Sequence, residues 1–360
     1  MKKVFLYAYD HINLGDDLFI ETIANRYPKV QFYLESDSSN EIVFSHVKNL
    51  QILDKDSKKL KALEKIRPSF AARYCESRKK KCDAVVYIGG SIFMEYPTWK
   101  NIVTWWDYQS KNHPFYVLGA NFGPYHTEAY RKGMEDNFKN LKDICFRDKN
   151  SFGLFPKVPT VRYAPDILFS YPMPKVVRQK NKIFFSVVPY DKFDSSNKRK
   201  DFTEKAYKDM LKNVINHYVA DGYYVQIASF CKKEGDLELA EELSRDFSNG
   251  VEVLSYEGIN REEFIKETAS SEYIIAMRFH GIILGMAAGI PVFPIVYSNK
   301  TINILKDMEF QGCYGDLRNP ETLQYENTKK NLDEKYLIDV KMQIEQSKEH
   351  FEKLDQLLLP

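Results

Sequence analysis

Val4-Phe5-Leu6-Tyr7-Ala8-Tyr9, followed by the turn His11-Ile12-Asn13-Leu14-Gly15-Asp16-Asp17, decides the fold class. The first run is short, apolar and β-prone, and reads as a buried strand. After the turn, Leu18, Ile20, Ile23 and Ala24 recur at helical spacing, and Val30 to Leu34 reads as the next strand. Strand, helix, strand is the opening of a parallel sheet with helices on its faces.

The rhythm continues outward from that stretch. Ala84 to Ile88 reads as a strand ending in Gly89-Gly90, Phe115 to Leu118 as one ending in Gly119-Ala120-Asn121-Phe122-Gly123-Pro124, and Ile144 to Phe146 as one ending in Arg147-Asp148. Ser170-Tyr171-Pro172-Met173-Pro174 then breaks the pattern and reads as a linker. A second series follows: strands at Ile183 to Val188, Tyr223 to Ala228, Val251 to Leu254, Tyr273 to Met277 and Pro291 to Val296, with helices near Glu204 to Ala220, Asp236 to Phe247 and Gly281 to Ala288. The stretch from about Leu332 to Leu358 reads as one charged amphipathic helix. The expectation is an α/β chain of two Rossmann-like domains facing across a cleft, residues 1–172 and 173–318, with a helical tail at 319–360. Ligands of open parallel sheets bind beyond the carboxyl ends of the strands, so the strand-end residues are the candidate set.

Composition narrows the function classes. A chain of 360 residues exceeds the roughly 250–300 that one core supports. A formal net charge of +2 gives no case for nucleic acid as a partner. The five cysteines, Cys75, Cys82, Cys145, Cys231 and Cys313, have no CxxC spacing, which argues for a reducing compartment. The amino terminus reaches Asp10 too soon for a signal peptide, and no stretch approaches a membrane span. The expected location is cytoplasmic.

Arg278-Phe279-His280-Gly281 is the strongest candidate for chemistry. It closes an apolar strand and opens a helix rich in small residues. On extended backbone Arg278 and His280 would point the same way, beside the free N–H groups and positive end of the helix. Arginine supplies a forked, permanent cation for phosphate or carboxylate, and histidine exchanges a proton near neutral pH. The bland alternative is an arginine ion pair with a capping histidine. In Asn13-Leu14-Gly15-Asp16-Asp17, Gly15 permits a sharp turn, and Asp16 or Asp17 could bind or deprotonate a sugar hydroxyl, although aspartates in a first helical turn also serve the helix dipole. Gly89-Gly90-Ser91 and Gly119 to Gly123 allow close ligand approach, or are simply tight turns. Neither is GxGxxG and there is no Walker motif. Arg147-Asp148 is either a second anion clamp or a structural salt bridge, with Asp166 and Lys300 as weaker candidates.

Asp54-Lys55-Asp56 has the DxD spacing of a metal-holding motif but sits in a lysine-rich stretch, and no HExxH or His/Cys cluster appears, so no metal site and no cofactor are expected. From Lys55 to Lys81 there are eleven lysines or arginines against Asp56, Glu64 and Glu76, with Leu60, Leu63, Ile66, Phe70 and Tyr74 interleaved. Such a segment is ordinarily a solvated helix face, and is also the pattern of peripheral contact with an anionic membrane at its inner face.

The ordered set of motifs resembles the polysaccharide pyruvyl transferases. The matching pieces are Asn13-Leu14-Gly15-Asp16-Asp17, Gly89-Gly90, Gly119-Ala120-Asn121-Phe122-Gly123-Pro124, Arg147-Asp148 with Ser151, Ala164-Pro165-Asp166, and Arg278-Phe279-His280-Gly281 with Gly289-Ile290-Pro291. They span about residues 4–310. Ser91 stands where many members carry a third glycine, and the tail beyond about 315 carries no recognisable motif.

The resemblance implies a GT-B-like fold, phosphoenolpyruvate as donor co-substrate and a sugar acceptor of galactose or mannose type, lipid-linked in the fullest form of this expectation. The implied product is a pyruvate ketal in a capsule, exopolysaccharide or other cell-envelope polymer. It assigns donor binding and catalysis to Arg278 and His280, and donor binding to Arg147. Gly281 and Lys300 join the expected donor set, and Asp16 joins the catalytic set. Asn13, Asp16, Asp17, Gly90 and Asn121 form the expected acceptor set. The competing readings are a GT-B glycosyltransferase using a nucleotide sugar, against which no acidic residue is clearly placed for a ribose diol, and a non-catalytic sugar-binding protein, against which Arg278 and His280 stand intact.

Overall fold

The structure is a computed structural model and describes residues 1–54, 57, 61–62, 65–66, 69–193 and 202–360. It divides into two compact units, one made of Met1–Asp10, Asp16–Ile167 and Glu345–Pro360, the other of His11–Gly15 and Leu168–Ile344.

The first unit is built on seven strands: β1 (Lys3–Tyr7), β2 (Gln31–Ser36), β3 (Leu50–Asp54), β4 (Ala84–Ile88), β5 (Phe115–Ala120), β6 (Asp143–Phe146) and β7 (Val161–Tyr163). They are ordered β3-β2-β1-β4-β5-β6-β7, and every pairing is parallel. The central strands are buried along their length, as sheets covered on both faces require. One face packs on an aromatic cluster that includes Phe93, Trp106, Phe115, Phe122, Phe138 and Phe155. Strand order reverses between β1 and β4, which is where a doubly wound sheet opens a crevice for ligands.

The second unit repeats the plan. Its strands are β8 (Gln179–Ser186), β9 (Tyr224–Ser229), β10 (Val251–Ser255), β11 (Ser271–Ala276), β12 (Val292–Val296) and the two-residue β13 (Gly315–Asp316). Their order is β10-β9-β8-β11-β12-β13, again all parallel, with the reversal between β8 and β11. Tyr207, Leu211, Ile215 and Tyr218 of the helix Glu204–Ala220 cover one face of this sheet. The two-domain α/β expectation therefore holds.

The boundaries differ from those read in the sequence. The second unit starts at Leu168, inside the 3-10 turn Ile167–Ser170 and ahead of the prolines. The stretch 319–360 is not a separate tail, because residues through Ile344 cluster with the second unit and Glu345–Pro360 with the first. Nor is Leu332 to Leu358 one helix. The helix Tyr325–Asp333 ends where Tyr336 N–H bonds back to the Asn331 carbonyl and Lys335 takes a positive φ. Lys341–Ser347, a 3-10 turn and Glu352–Leu358 follow. The amphipathic period persists because both halves are amphipathic, each against its own core.

Of the segment Lys55 to Lys81, the described part contains the helix Phe70–Lys79 and an exposed Ile66. Leu60, Leu63, Lys55 and Asp56, hence most of the DxD triplet, lie outside the described residues. No helix among the described residues is long and apolar enough to cross a membrane.

Candidate active site

The sequence-selected residues gather into two constellations, one beyond the carboxyl ends of β4 to β7 in the first sheet, the other beside the strand-order reversal of the second. In the first unit, Arg147 follows β6 and is buried (3% exposed). Its Nη1 donates to Asp166 Oδ2 at 3.0 Å and its Nη2 to Asn121 Oδ1 at 2.7 Å. Asp166 is wholly buried. A methyl group on Gly90 would lie 2.5 Å from Arg147 Nη2, so the glycine is what lets the guanidinium lie flat against the end of β4. Ser91 Oγ donates to Asn121 Oδ1 at 3.3 Å. Four separate motifs thus meet around one buried cation.

Asp148, next to Arg147, has a different role. It caps the short helix Lys149–Gly153, accepting from Ser151 N–H at 2.9 Å and from Ser151 Oγ at 2.7 Å. Ser151 Oγ in turn accepts from Phe122 N–H at 2.7 Å. This is capping chemistry, so Asp148 is a structural member of the pair, while Arg147 belongs to the buried cluster with Asp166 and Asn121.

Asp16 and Asp17 begin the helix Leu14–Arg26. Asp17 is buried (3% exposed), while Asp16 is half-buried. Burial and then the charges of Asp16 and Asp10 push the phenol of Tyr87, the penultimate residue of β4, up to about 12.

In the second unit, the turn after β11 holds Arg278 and His280. The helix here is Phe279–Ala287, with Arg278 as its N-cap. It starts two residues earlier than the sequence suggests, so His280 stands on the first helical turn rather than on extended backbone. Residues two apart on a helix diverge. The expected parallel pair is therefore absent, and each side chain has its own seat.

Arg278 turns into the unit, with 9% of it exposed. Its Nε donates to Asp236 Oδ2 at 2.8 Å, its Nη2 to Asp236 Oδ1 and its Nη1 to Glu234. Asp236 is fully buried and also accepts from the N–H groups of Phe230 (3.0 Å) and Cys231 (3.1 Å). Burial is the largest influence on both members of the pair. It pushes the Asp236 carboxyl up against the pull of Arg278. It also opposes the guanidinium charge, but Asp236 and Glu234 outweigh it and hold Arg278 above its ordinary value. The tyrosine Tyr297, buried at the end of β12, lies in the field of Arg278, and Lys300 Nζ stands 5.5 Å from the Tyr297 ring centre.

His280 is half-buried and lies against residues 11–15, which cluster with this unit. A methyl group on Gly15 would fall 1.6 Å from His280 Nδ1, so the imidazole occupies the space any side chain at Gly15 would need. The turn is fixed by Asn13, whose Oδ1 accepts from Gly15 N–H at 3.1 Å, and by Leu14 N–H donating to the Phe230 carbonyl at 3.2 Å. Gly281 meets Ser186 Oγ and Phe230 instead of open space, so its missing side chain serves helix–sheet packing.

Three contributors escape the sequence reading: Glu234, Asp236 and Tyr297. The first two were visible in kind. Glu234-Gly235-Asp236 follows a strand and opens a helix, the same strand–glycine–acid–helix pattern as Gly15-Asp16. Tyr297 carries no local signal.

A protein-family model described as "Polysaccharide pyruvyl transferase" matches residues 13–299. The amylovoran biosynthesis protein AmsJ of Erwinia amylovora is 21% identical over 272 residues, a match covering 70% of this chain and 65% of AmsJ, just under two thirds of the relative's length. Among solved structures, UDP-GlcNAc 2-epimerase from Neisseria meningitidis superposes with a TM-score of 0.57 at 11% identity, covering 99% of this chain and 100% of that one. Anabaena Alr3699/HepE in complex with UDP-glucose gives 0.56 at 9% identity, covering 98% and 100%. At such identities these likenesses show the shared GT-B fold alone.

Proposed function

We propose, because the chain belongs to the polysaccharide pyruvyl transferase family, that it transfers the pyruvyl group of phosphoenolpyruvate onto a sugar of a polysaccharide precursor as a cyclic ketal. The observation that carries the reading is the seat of His280: a proton-exchanging side chain fixed against bare backbone at Gly15, two residues from a buried arginine.

The chemistry asks for an acid and for anion binding. Protonation of the donor's methylene carbon leaves an oxocarbenium-like centre, which one sugar hydroxyl attacks as its own proton passes to a base. A second hydroxyl then displaces phosphate and closes the ketal, its proton leaving with the phosphate or a base. His280 is the proposed proton carrier, a role typically worth about 10²–10⁴ in rate. A guanidinium has five N–H donors, and three of those on Arg278 are engaged by Asp236 and Glu234. Arg278 is thereby held rigid, with its remaining Nη–H edges for a donor anion. Arg147, oriented by Asp166 and Asn121, is the proposed second anion contact, with Lys300 and the first turn of the helix Phe279–Ala287, which includes Gly281, adding to the donor side. Asp16 is the proposed acceptor contact and base, with Asn13, Gly90 and Asn121 shaping its surroundings. The acceptor proposed is a galactose- or mannose-type unit on a lipid-linked precursor at the cytoplasmic face of a membrane.

The test is incubation with phosphoenolpyruvate and candidate galactosides or mannosides, following phosphate release and the mass of the sugar product. Phosphate released in step with a pyruvate ketal is the expected result. No turnover with any sugar, together with no calorimetric binding of phosphoenolpyruvate, would sink the reading. Stabilisation by a nucleoside diphosphate instead would favour glycosyl transfer.

A further inference from the structure

The first unit contains a pocket of about 890 Å³ between the helices Phe70–Lys79 and Trp99–Asn112, over the carboxyl ends of β1 and β2. None of the expected site residues lines it. We propose that it binds an anionic carbohydrate, one sugar unit bearing a carboxylate or phosphate.

Its aromatic lining is Tyr7, Trp105 and Tyr108. Tyr7 and Trp105 meet edge to face, 5.6 Å between centres at 75°. They therefore form a corner rather than the parallel slot that sandwiches a nucleobase. A corner of this kind suits the apolar C–H face of a pyranose, which needs one ring surface with hydroxyl partners around it.

Those partners are present. Glu35 and Glu76 line the pocket and accept from hydroxyl groups. Glu76 is held below its ordinary value: burial raises it, but Lys79 and His113 outweigh that. Lys79 is buried (6% exposed), with its Nζ 2.9 Å from Glu76 Oε2 and 3.2 Å from Gln109 Oε1. His113 Nε2 stands 3.0 Å from Glu76 Oε1. The floor is a buried polar cluster in which Glu76 Oε1 and His113 Nε2 make no hydrogen bond among the described residues, a cost that a bound hydroxyl group would offset.

Charge selects the ligand's sign. Four cations, Arg73, Lys79, Lys80 and Lys81, face two carboxylates, and Arg73, Lys80 and Lys81 are exposed at the rim. A sugar ring lying in the corner would hold its anionic substituent toward them. This gives the described end of the basic segment a use in ligand binding. The pocket also adjoins the proposed acceptor side, since the Tyr7 ring lies 5.8 Å from that of Tyr87, which senses Asp16.

Only the ligand class is taken from the reading of the chain as a glycan-modifying enzyme, and the measurement omits phosphoenolpyruvate. Binding can thus fail while phosphate release persists, or persist while phosphate release fails. The experiment is calorimetry and tryptophan fluorescence on the full chain with a galacturonate trimer, galactose 1-phosphate, a neutral galactoside, inorganic phosphate and UDP. The two anionic sugars should bind about tenfold tighter than the neutral one. Their binding should weaken about tenfold in Tyr108→Ala, and to near the neutral sugar's level in the double variant Lys80→Glu/Lys81→Glu. All three side chains are exposed, so thermal midpoints should hold. A response to the trimer but not to galactose 1-phosphate marks a uronate site, the reverse a sugar-phosphate site, and either supports the proposal. No sugar binding, equal binding of the neutral sugar, binding untouched by the substitutions, or tight competition by phosphate or UDP alone would each overturn it.

Discussion

At Gly15 a hydrogen atom does the work of a side chain, because His280 fills the adjoining space. Gly15→Ala should therefore push the imidazole from its seat and lower turnover into the range expected of His280→Ala, about 10²–10⁴ below the parent, with an unchanged circular dichroism spectrum. Wild-type turnover in Gly15→Ala would show that the seat is irrelevant to the chemistry. Asp236 makes a different demand. Asp236→Ala strands the buried Arg278 with Glu234 as its remaining carboxylate partner among the described residues. Breaking such a buried pair costs about 3–5 kcal/mol, to be read from urea unfolding, and a loss under about 1 kcal/mol would show that the pair is weakly coupled. Much of the candidate site was legible in the sequence as residue types at strand ends, since glycines, acids and arginines there report backbone approach and charge. What was not legible was pairing. Nothing local to Arg278 shows that its guanidinium turns toward Asp236, and only where the helix begins shows that His280 diverges from it.

Among elements, the long central strands were legible because burial on both faces leaves continuous apolar runs such as Val85-Val86 and Ile274-Ile275. The edge strands β3, β7 and β13 escaped. β7 is three residues with Arg162 at its centre, and β13 is two, too short for any period. The carboxyl-terminal segment misled for another reason, since its period matches one helix although it serves two cores. Within that segment His350 is fully buried, donating from Nε2 to the Pro165 carbonyl at 2.9 Å, one residue before Asp166. Burial drives its pKa down to about 3. An unfolded histidine titrates near 6.5, so the folded state takes up fewer protons, and the stability tied to neutral His350 is present above about pH 6.5 and lost as the pH falls toward 3. His350→Gln, which does not titrate, should flatten this acid limb, by about 2 kcal/mol between neutral pH and about pH 5. Parallel acid limbs in urea titrations of the two proteins would refute it.

For the whole molecule, the first unit is assembled from three stretches of chain and the second from two. Asp355 of the last stretch accepts from Arg26 Nε at 2.9 Å and Tyr27 Oη at 2.7 Å, while Phe351 and Leu354 are buried beside them. Deleting residues 345–360 should therefore loosen the first unit selectively. Hydrogen exchange should quicken in the helix Leu14–Arg26 and in β5 to β7, with β8 to β12 holding their protection, whereas uniform loosening would mean that the units do not melt separately. The same interleaving bears on inheritance. A recombination breakpoint at the obvious border near position 168 would bring the turn 11–15 from one parent and the imidazole that rests on it from the other. Lineages that exchange this region by shuffling genes would succeed only when both parents agree at Gly15, so the border of the folded units is not the border at which the gene can be cut.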